Sequence, residues 1–318
     1  MRKLSSLLAT SLVGAMLLVT APVQAQVNNL IEAVDQAGVQ RMLTQRILKA
    51  YGLVVLNVKV SDHQKLLTDS VKQYDTILSD LQGFPGAEQE AKELMNTVRG
   101  LWEPVKRLAS APPALEKMSD LHHATDDLLA ANEELVHELA RETHSDVGHV
   151  VDISERQQML SQRIAALYNL HALGVDEESY RESLDNATFE FMLGLEELIG
   201  YEGNTRSVNS ALKKAKTQFR MLEFSVNKEG NTYFPFVVSE AAKKILNSMH
   251  DVTKTLGVKW PHVTTQLDRR RPAVDAPIVD STRYRSYAGP SWRPSEPETR
   301  PACGDAPDRG ETHAAGYR

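Results

Sequence analysis

The sequence predicts an all-α protein built as two tandem up-and-down four-helix bundles. Three observations carry that expectation. First, Ala37 to Tyr51 (AGVQRMLTQRILKAY) is repeated at Ser154 to Tyr168 (SERQQMLSQRIAALY), and the offset of 117 positions persists well outside the phrase. Leu53 and Leu56 fall on Leu170 and Leu173, Trp102 on Phe219, and Leu128-Leu129 on Ile245-Leu246. A constant offset over a hundred residues means duplication of a whole unit, and two copies are too few for a solenoid. Second, no proline occurs from Ala114 to Phe234, where Ala, Leu, Glu, Lys, Gln and Met predominate. Third, the breakers are clustered: Gly83-Phe-Pro85-Gly86, Ala111-Pro112-Pro113, Gly174-Val-Asp176, Gly200 to Asn204 and Asn227 to Asn231.

Taken in order, Met1 to Ala25 reads as a secretory signal. Arg2 and Lys3 form a charged n-region, Leu7 to Val19 an apolar core, and Val23-Gln24-Ala25 a small-residue cleavage site. The apolar run is short for a membrane span and Pro22 breaks it. Without a cysteine near the cleavage point, a lipoprotein anchor is not expected. The expected product is exported, periplasmic and soluble.

The first bundle is assigned to residues 26–143, with helices near 28–58, 62–82, 87–109 and 113–143. The second is assigned to 144–262, with helices near 145–173, 177–199, 206–226 and 232–257. Apolar residues recur at spacings of three and four, as in Leu66, Val71, Tyr74, Ile77, Leu78 and Leu81. Between Leu115 and Leu173 only Gly148 weakens the helical pattern, which leaves open one long helix shared by the two bundles. Residues 263–318 hold seven of the fourteen prolines and Arg269-Arg-Arg271, with sparse aliphatics, and are expected to be a disordered tail.

Composition excludes several function classes. The single cysteine, Cys303, rules out an intramolecular disulfide, a Cys-x-x-Cys redox site and a thiolate metal cluster. A net charge of −6 without a basic stripe argues against nucleic acid as a partner. No phosphate loop or catalytic constellation can be placed, so no enzyme and no cofactor are expected. Glu134-x-x-His137 matches a di-iron bundle motif and Asp120-x-x-His123 resembles it, but both lie on one predicted helix, and such a site needs two helices.

On a helical wheel, Leu30, Val34, Ala37, Arg41, Thr44 and Leu48 share one sector, with Gly38 and Gln45 at its edge. Arg41 thus sits in a small, apolar stripe. A guanidinium there needs an anion or must reach solvent. Two readings follow: capture of a small planar anion by fork-like donors, or an ion pair with a carboxylate on a neighbouring helix.

The phrase AGVQRMLTQRILK resembles the signature of the PilJ/NarX-type sensory domain. That domain is the periplasmic N-terminal part of type IV pilus methyl-accepting chemotaxis transducers and of nitrate/nitrite sensor kinases. Ala131-Asn-Glu-Glu-Leu135 and Ser239-Glu-Ala-Ala-Lys-Lys-Ile245 agree with it, and the resemblance covers most of Val27 to Trp260 in two copies. It implies a sensory module that binds a small oxyanion such as nitrate or nitrite through Arg41 and Gly38, with Gln45 beside them. It also implies pairing of the first helix across a homodimer, and a membrane sensor or chemoreceptor as the partner that carries output. The second copy departs from the pattern, with Glu155 in place of the glycine and Gln158 in place of the arginine. A carboxylate there repels an anion, so no such site is expected in the second copy. Arg46 and Arg163 persist in both copies beside Gln162, which points to a shared structural job in an inter-helix pair. The competing function class is a helical adaptor that works through protein contacts alone.

Overall fold

The computed structural model describes residues 27–144, 146–175, 177–227 and 234–259. Among them the protein forms eight α-helices and no strand. In chain order these are α1 (Leu30–Val55), α2 (Val60–Gln82), α3 (Gln89–Ser110) and α4 (Met118–Glu142), then α5 (Asp146–Ala172), α6 (Glu177–Gly200), α7 (Arg206–Val226) and α8 (Pro235–Lys259). The expected signal segment, the tail and Cys303 lie outside the described residues. The chain divides after Gln266, and all eight helices belong to the unit that precedes the division.

The helix ends follow from local chemistry. Asn29 caps α1 by accepting from the Glu32 amide at 3.0 Å, and Thr205 caps α7 by accepting from the Val208 amide at 3.2 Å. In the turn after α2, a Cβ on Gly86 would fall 2.5 Å from the Phe84 ring, and in the turn after α6 a Cβ on Gly203 would fall 2.5 Å from the Tyr201 ring. The aromatic folds onto the glycine in both turns, so the repeated Gly spacing is a packing requirement.

The sequence leaves open a continuous helix across the join. The structure ends α4 at Glu142, and His144 adopts a left-handed backbone with φ 47°. That geometry stops a helix even though histidine is an unusual residue to hold it. Gly148, the expected weak point, lies inside α5.

Helix α1 packs most extensively on α5, and also on α2 and α4; α5 packs in turn on α8 and α6. The two helices that carry the repeated phrase therefore meet in the middle of the molecule. Gly38 faces Glu155 and Gly52 faces Asn169, so α1 and α5 run parallel with equivalent residues level. Every residue from Gln40 to Gln45 is buried. Central placement, with neighbours on all sides, explains why these two helices lack a polar face.

The outer helices close around this seam. Tyr74 stacks on Trp102 with ring centroids 4.0 Å apart, and Phe191 stacks on Phe219 at 4.2 Å. The second pair stands 117 positions beyond the first. The motif tyrosines also act alike: the Tyr51 hydroxyl accepts from the Ala114 amide at 3.0 Å, and that of Tyr168 from the Phe234 amide at 2.8 Å. Each secures the entry to the last helix of its half.

The seam predicts a contrast between two glycine substitutions. A Cβ on Gly38 would fall 2.6 Å from Glu155 Cβ and 2.8 Å from its Cγ, whereas one on Gly100 in α3 meets nothing within 4 Å. Gly38→Ala should cost about 1–3 kcal/mol through overpacking, and Gly100→Ala should stabilise by up to about 1 kcal/mol through helix propensity. Urea denaturation of both variants checks the opposite signs.

Candidate functional site

Arg41 is fully buried and is held by carboxylates from two helices. Its Nη1 donates to Glu133 Oε2 of α4 at 2.7 Å, and its Nη2 lies 2.9 Å from Asp152 Oδ1 of α5. The same Nη2 donates to the Asp152 backbone carbonyl at 3.1 Å. Burial alone would lower the Arg41 pKa, but Glu133 and Asp152 outweigh it and raise it above the ordinary value.

Glu133 is shared between two cations. Arg156 Nη1 donates to the same Oε2 at 2.8 Å, and its Nη2 reaches Glu190 of α6 at 2.9 Å. Burial works to raise the Glu133 pKa, but Arg156 and Arg41 overcome it and hold it at about 2. The result is a ladder, Asp152–Arg41–Glu133–Arg156–Glu190, that ties α1, α4, α5 and α6 together. Pairing at both ends is what makes burial of the Arg41 charge tolerable.

Glu155 sits beside this ladder in the space left by Gly38. It is almost fully buried, and its carboxyl accepts from Gln158 Nε2. Burial, reinforced by Asp35 of α1, pushes its pKa up to about 8. Burial likewise raises Asp35 above its ordinary value. Gln158, in the position equivalent to Arg41, also donates to Thr253 Oγ1 of α8 at 3.2 Å.

A second polar group occupies the next turns of the seam. Lys49 Nζ donates to Gln162 Oε1 at 2.5 Å, and Asn169 Nδ2 donates to the Lys49 carbonyl at 3.1 Å. Burial, with Arg46 and Lys243 nearby, brings the Lys49 pKa down to about 7. Gln45, fully buried on the same helix, has no hydrogen-bond partner for either amide atom among the described residues, and Arg41 Nε is also without one. Thr44 Oγ1 donates to the Arg41 carbonyl at 2.7 Å, and Ser161 Oγ to the Gln158 carbonyl at 2.7 Å. One bond made twice accounts for the hydroxyl kept at that motif position.

The residues singled out in the sequence thus separate. Arg41 and Gly38 lie together on the seam, with Gln45 one turn on, and Gln162 faces Lys49. Arg163 pairs with Asp126 of α4 at 2.7 Å, whereas half-buried Arg46 has no carboxylate within ion-pair distance among the described residues. Burial lowers the Arg46 pKa to about 10. Sequence reasoning missed Glu133 and Asp152 as the partners of Arg41, although Glu133 lies inside the quoted phrase Ala131 to Leu135. Asp120, His123 and Glu134 join no cluster of metal-ligating groups among the described residues. The carboxylates of Glu88, Glu138 and Glu142 do converge, but Glu142 accepts from the Glu88 amide at the start of α3 and Glu138 pairs with Arg141.

Fold and seam together define a helical bundle organised on a repeated, arginine-bearing helix. Residues 23–128 match the PilJ family, described as "Type IV pili methyl-accepting chemotaxis transducer N-term". The match covers α1 to α3 and the first part of α4, including the Arg41 phrase, and supports a PilJ-type sensory domain there. No curated protein and no solved structure matches the chain.

The Glu155 environment sets a pH dependence. A carboxyl whose folded pKa is about 8 against an ordinary 4.5 binds its proton more tightly in the folded state. Its contribution is therefore full below about pH 4.5 and is lost as pH rises towards 8. Lys49 works in the opposite direction, but only above about pH 7. Between pH 5 and 7 the wild type should lose stability by up to about 1.4 kcal/mol per pH unit from this group. Glu155→Gln should flatten that slope in pH-resolved urea melts. An identical slope in wild type and variant would remove Glu155 as its source.

Proposed function

We propose that the protein is a PilJ-type sensory module, working in the periplasm, that reports to a separate membrane receptor through protein contacts. In this reading residues 26–143 and 144–262 are two copies of one ancestral unit, docked on each other through α1 and α5. The observation that carries it is the state of Arg41: a PilJ-type motif arginine that is buried and neutralised by Glu133 and Asp152 of its own chain. A guanidinium already paired on two sides has structural work to do whether or not a ligand arrives. The α1 face that would pair in a homodimer is covered by α5, so the second copy takes the place of a partner subunit. Nothing in this role calls for catalysis.

A second reading keeps a small oxyanion, nitrate or nitrite, as ligand of Gly38, Arg41 and Gln45. Two orphaned polar groups favour it: Arg41 Nε and the amide of Gln45, both buried and with donors to spare. An entering anion would have to compete with Glu133 and Asp152 and pass close to Glu155.

Thermal and urea melts separate the two. If Arg41 is an internal ion-pair member, Arg41→Ala strands the buried Asp152 carboxylate, leaves Glu133 with Arg156 alone, and costs about 3–5 kcal/mol with or without anion. The wild type then shows no shift with millimolar nitrate or nitrite. If Arg41 binds the anion, saturating nitrate stabilises the wild type by about 2.7 kcal/mol at a hundredfold excess over Kd. Arg41→Ala abolishes that shift, and Gln158→Ala leaves it intact.

A further inference from the structure

The two halves differ on the outer face of their second and third helices. In the first half this face is polar. Asp75 of α2 accepts from Trp102 Nε1 of α3 at 2.7 Å and pairs with Lys106 at 2.9 Å. At the matched positions, 117 residues on, stand Met192, Phe219 and Glu223, and no such bond is possible. Around them Lys72 becomes Phe189, Thr76 becomes Leu193, Pro104 becomes Met221 and Arg107 becomes Phe224. All five apolar replacements on the outer face are open to solvent: Phe189 is 44% exposed, Met192 42%, Leu193 43%, Met221 55% and Phe224 75%. The first half exposes only Val60 and Leu115 among its large apolar side chains in the described residues. Single exposed apolar residues are ordinary, but five on one two-helix face mark an interaction surface.

The charges around this face say what fits it. Helix α6 carries seven carboxylates and one arginine, and of these only Glu190 and Glu197 pair with α5, through Arg156 and His149, among the described residues; α7 carries five cations and one glutamate. Neither α2 nor α3 is split in this way. Phe191 stacks on Phe219 and Lys216 bonds Glu196 at 2.6 Å, so α6 and α7 run antiparallel side by side, one acidic and one basic. Such a face complements itself. A two-fold axis along the helices lays α6 of one copy on α7 of the other, which brings the apolar residues together and puts acid opposite base on both sides. Two helices of this length present a footprint on the order of 30 Å by 20 Å, or roughly 600 Å², close in scale to the ~800 Å² per partner of a standard interface.

We infer that the exposed α6–α7 face is a homodimer interface in which the acidic α6 of one copy seats on the basic α7 of a second copy about a two-fold axis. This interface is isologous. It leaves the α1–α5 seam untouched and is independent of whether Arg41 binds an anion.

The test is sedimentation equilibrium of the full chain under reducing conditions, at concentrations on the order of 1–100 µM, with helicity checked by circular dichroism. The wild type should dimerise. A variant given the first-half residues, Phe189→Lys, Met192→Asp, Leu193→Thr and Phe224→Arg, should stay folded and weaken the dimer at least tenfold. The decisive pair reverses charge on one helix each: Asp185→Lys with Glu196→Lys on α6, and Lys213→Glu with Arg220→Glu on α7. Each variant alone should be monomeric where the wild type dimerises, and an equimolar mixture should form heterodimers. A wild type that stays monomeric, whether or not it floats with phosphatidylcholine vesicles, overturns the proposal. So does a dimer that survives the first-half residues, or a charge-reversed pair that fails to associate on mixing.

Discussion

The structure depends on how closely α1 and α5 approach. Gly38 removes a side chain where Glu155 enters, and Gly52 does the same opposite Asn169. With equivalent residues level along two parallel helices, each repeated phrase becomes the other's neighbour. Burial of the polar positions follows, because a helix enclosed by α2, α4 and α5 has no side left to give to water. The protein meets the desolvation cost with partners: Arg41 with Glu133 and Asp152, Lys49 with Gln162, Gln158 with Glu155 and Thr253.

The two phrases differ at the positions where they meet. Two identical copies facing each other would set arginine against arginine and glycine against glycine. Here Gly38 meets Glu155, and the partner position of Arg41 is the neutral Gln158. The centre is thus made asymmetric, and its cation is satisfied from within the chain. Divergence on the outside runs the other way, since a polar α2–α3 face corresponds to an apolar α6–α7 face.

Much of the fold was legible because its punctuation is chemical. Gly83-Phe-Pro85-Gly86 and Gly200 to Asn204 mark turns in which an aromatic ring closes on a glycine, and the expected helices end within a few residues of those observed. The join was not legible, because His144 carries a left-handed backbone that its residue type does not advertise. For Arg41 the helical wheel placed the charge inside an apolar stripe and left its counter-ion open. Its partners come from α4 and α5, 92 and 111 residues away, and only tertiary packing selects them. Glu155 was visible as a departure from the motif, but its fit into the Gly38 notch needed the parallel seam. The apolar outer face of α6 was hidden for a related reason: a helix with apolar residues on both sides shows no clean period.

The central claim is that the two motif helices meet within one chain, in register. Cysteine cross-linking of Gly52→Cys with Asn169→Cys, in a background where Cys303 is serine, tests it most directly. A Cβ at position 52 would lie 3.1 Å from that of Asn169, close to the roughly 3.5–4.5 Å span of a disulfide. Mild oxidation followed by non-reducing electrophoresis and peptide mass mapping should find one intrachain bridge, formed equally well at high dilution. Bridges that appear only between chains, or two thiols that stay free under oxidation, would contradict the account.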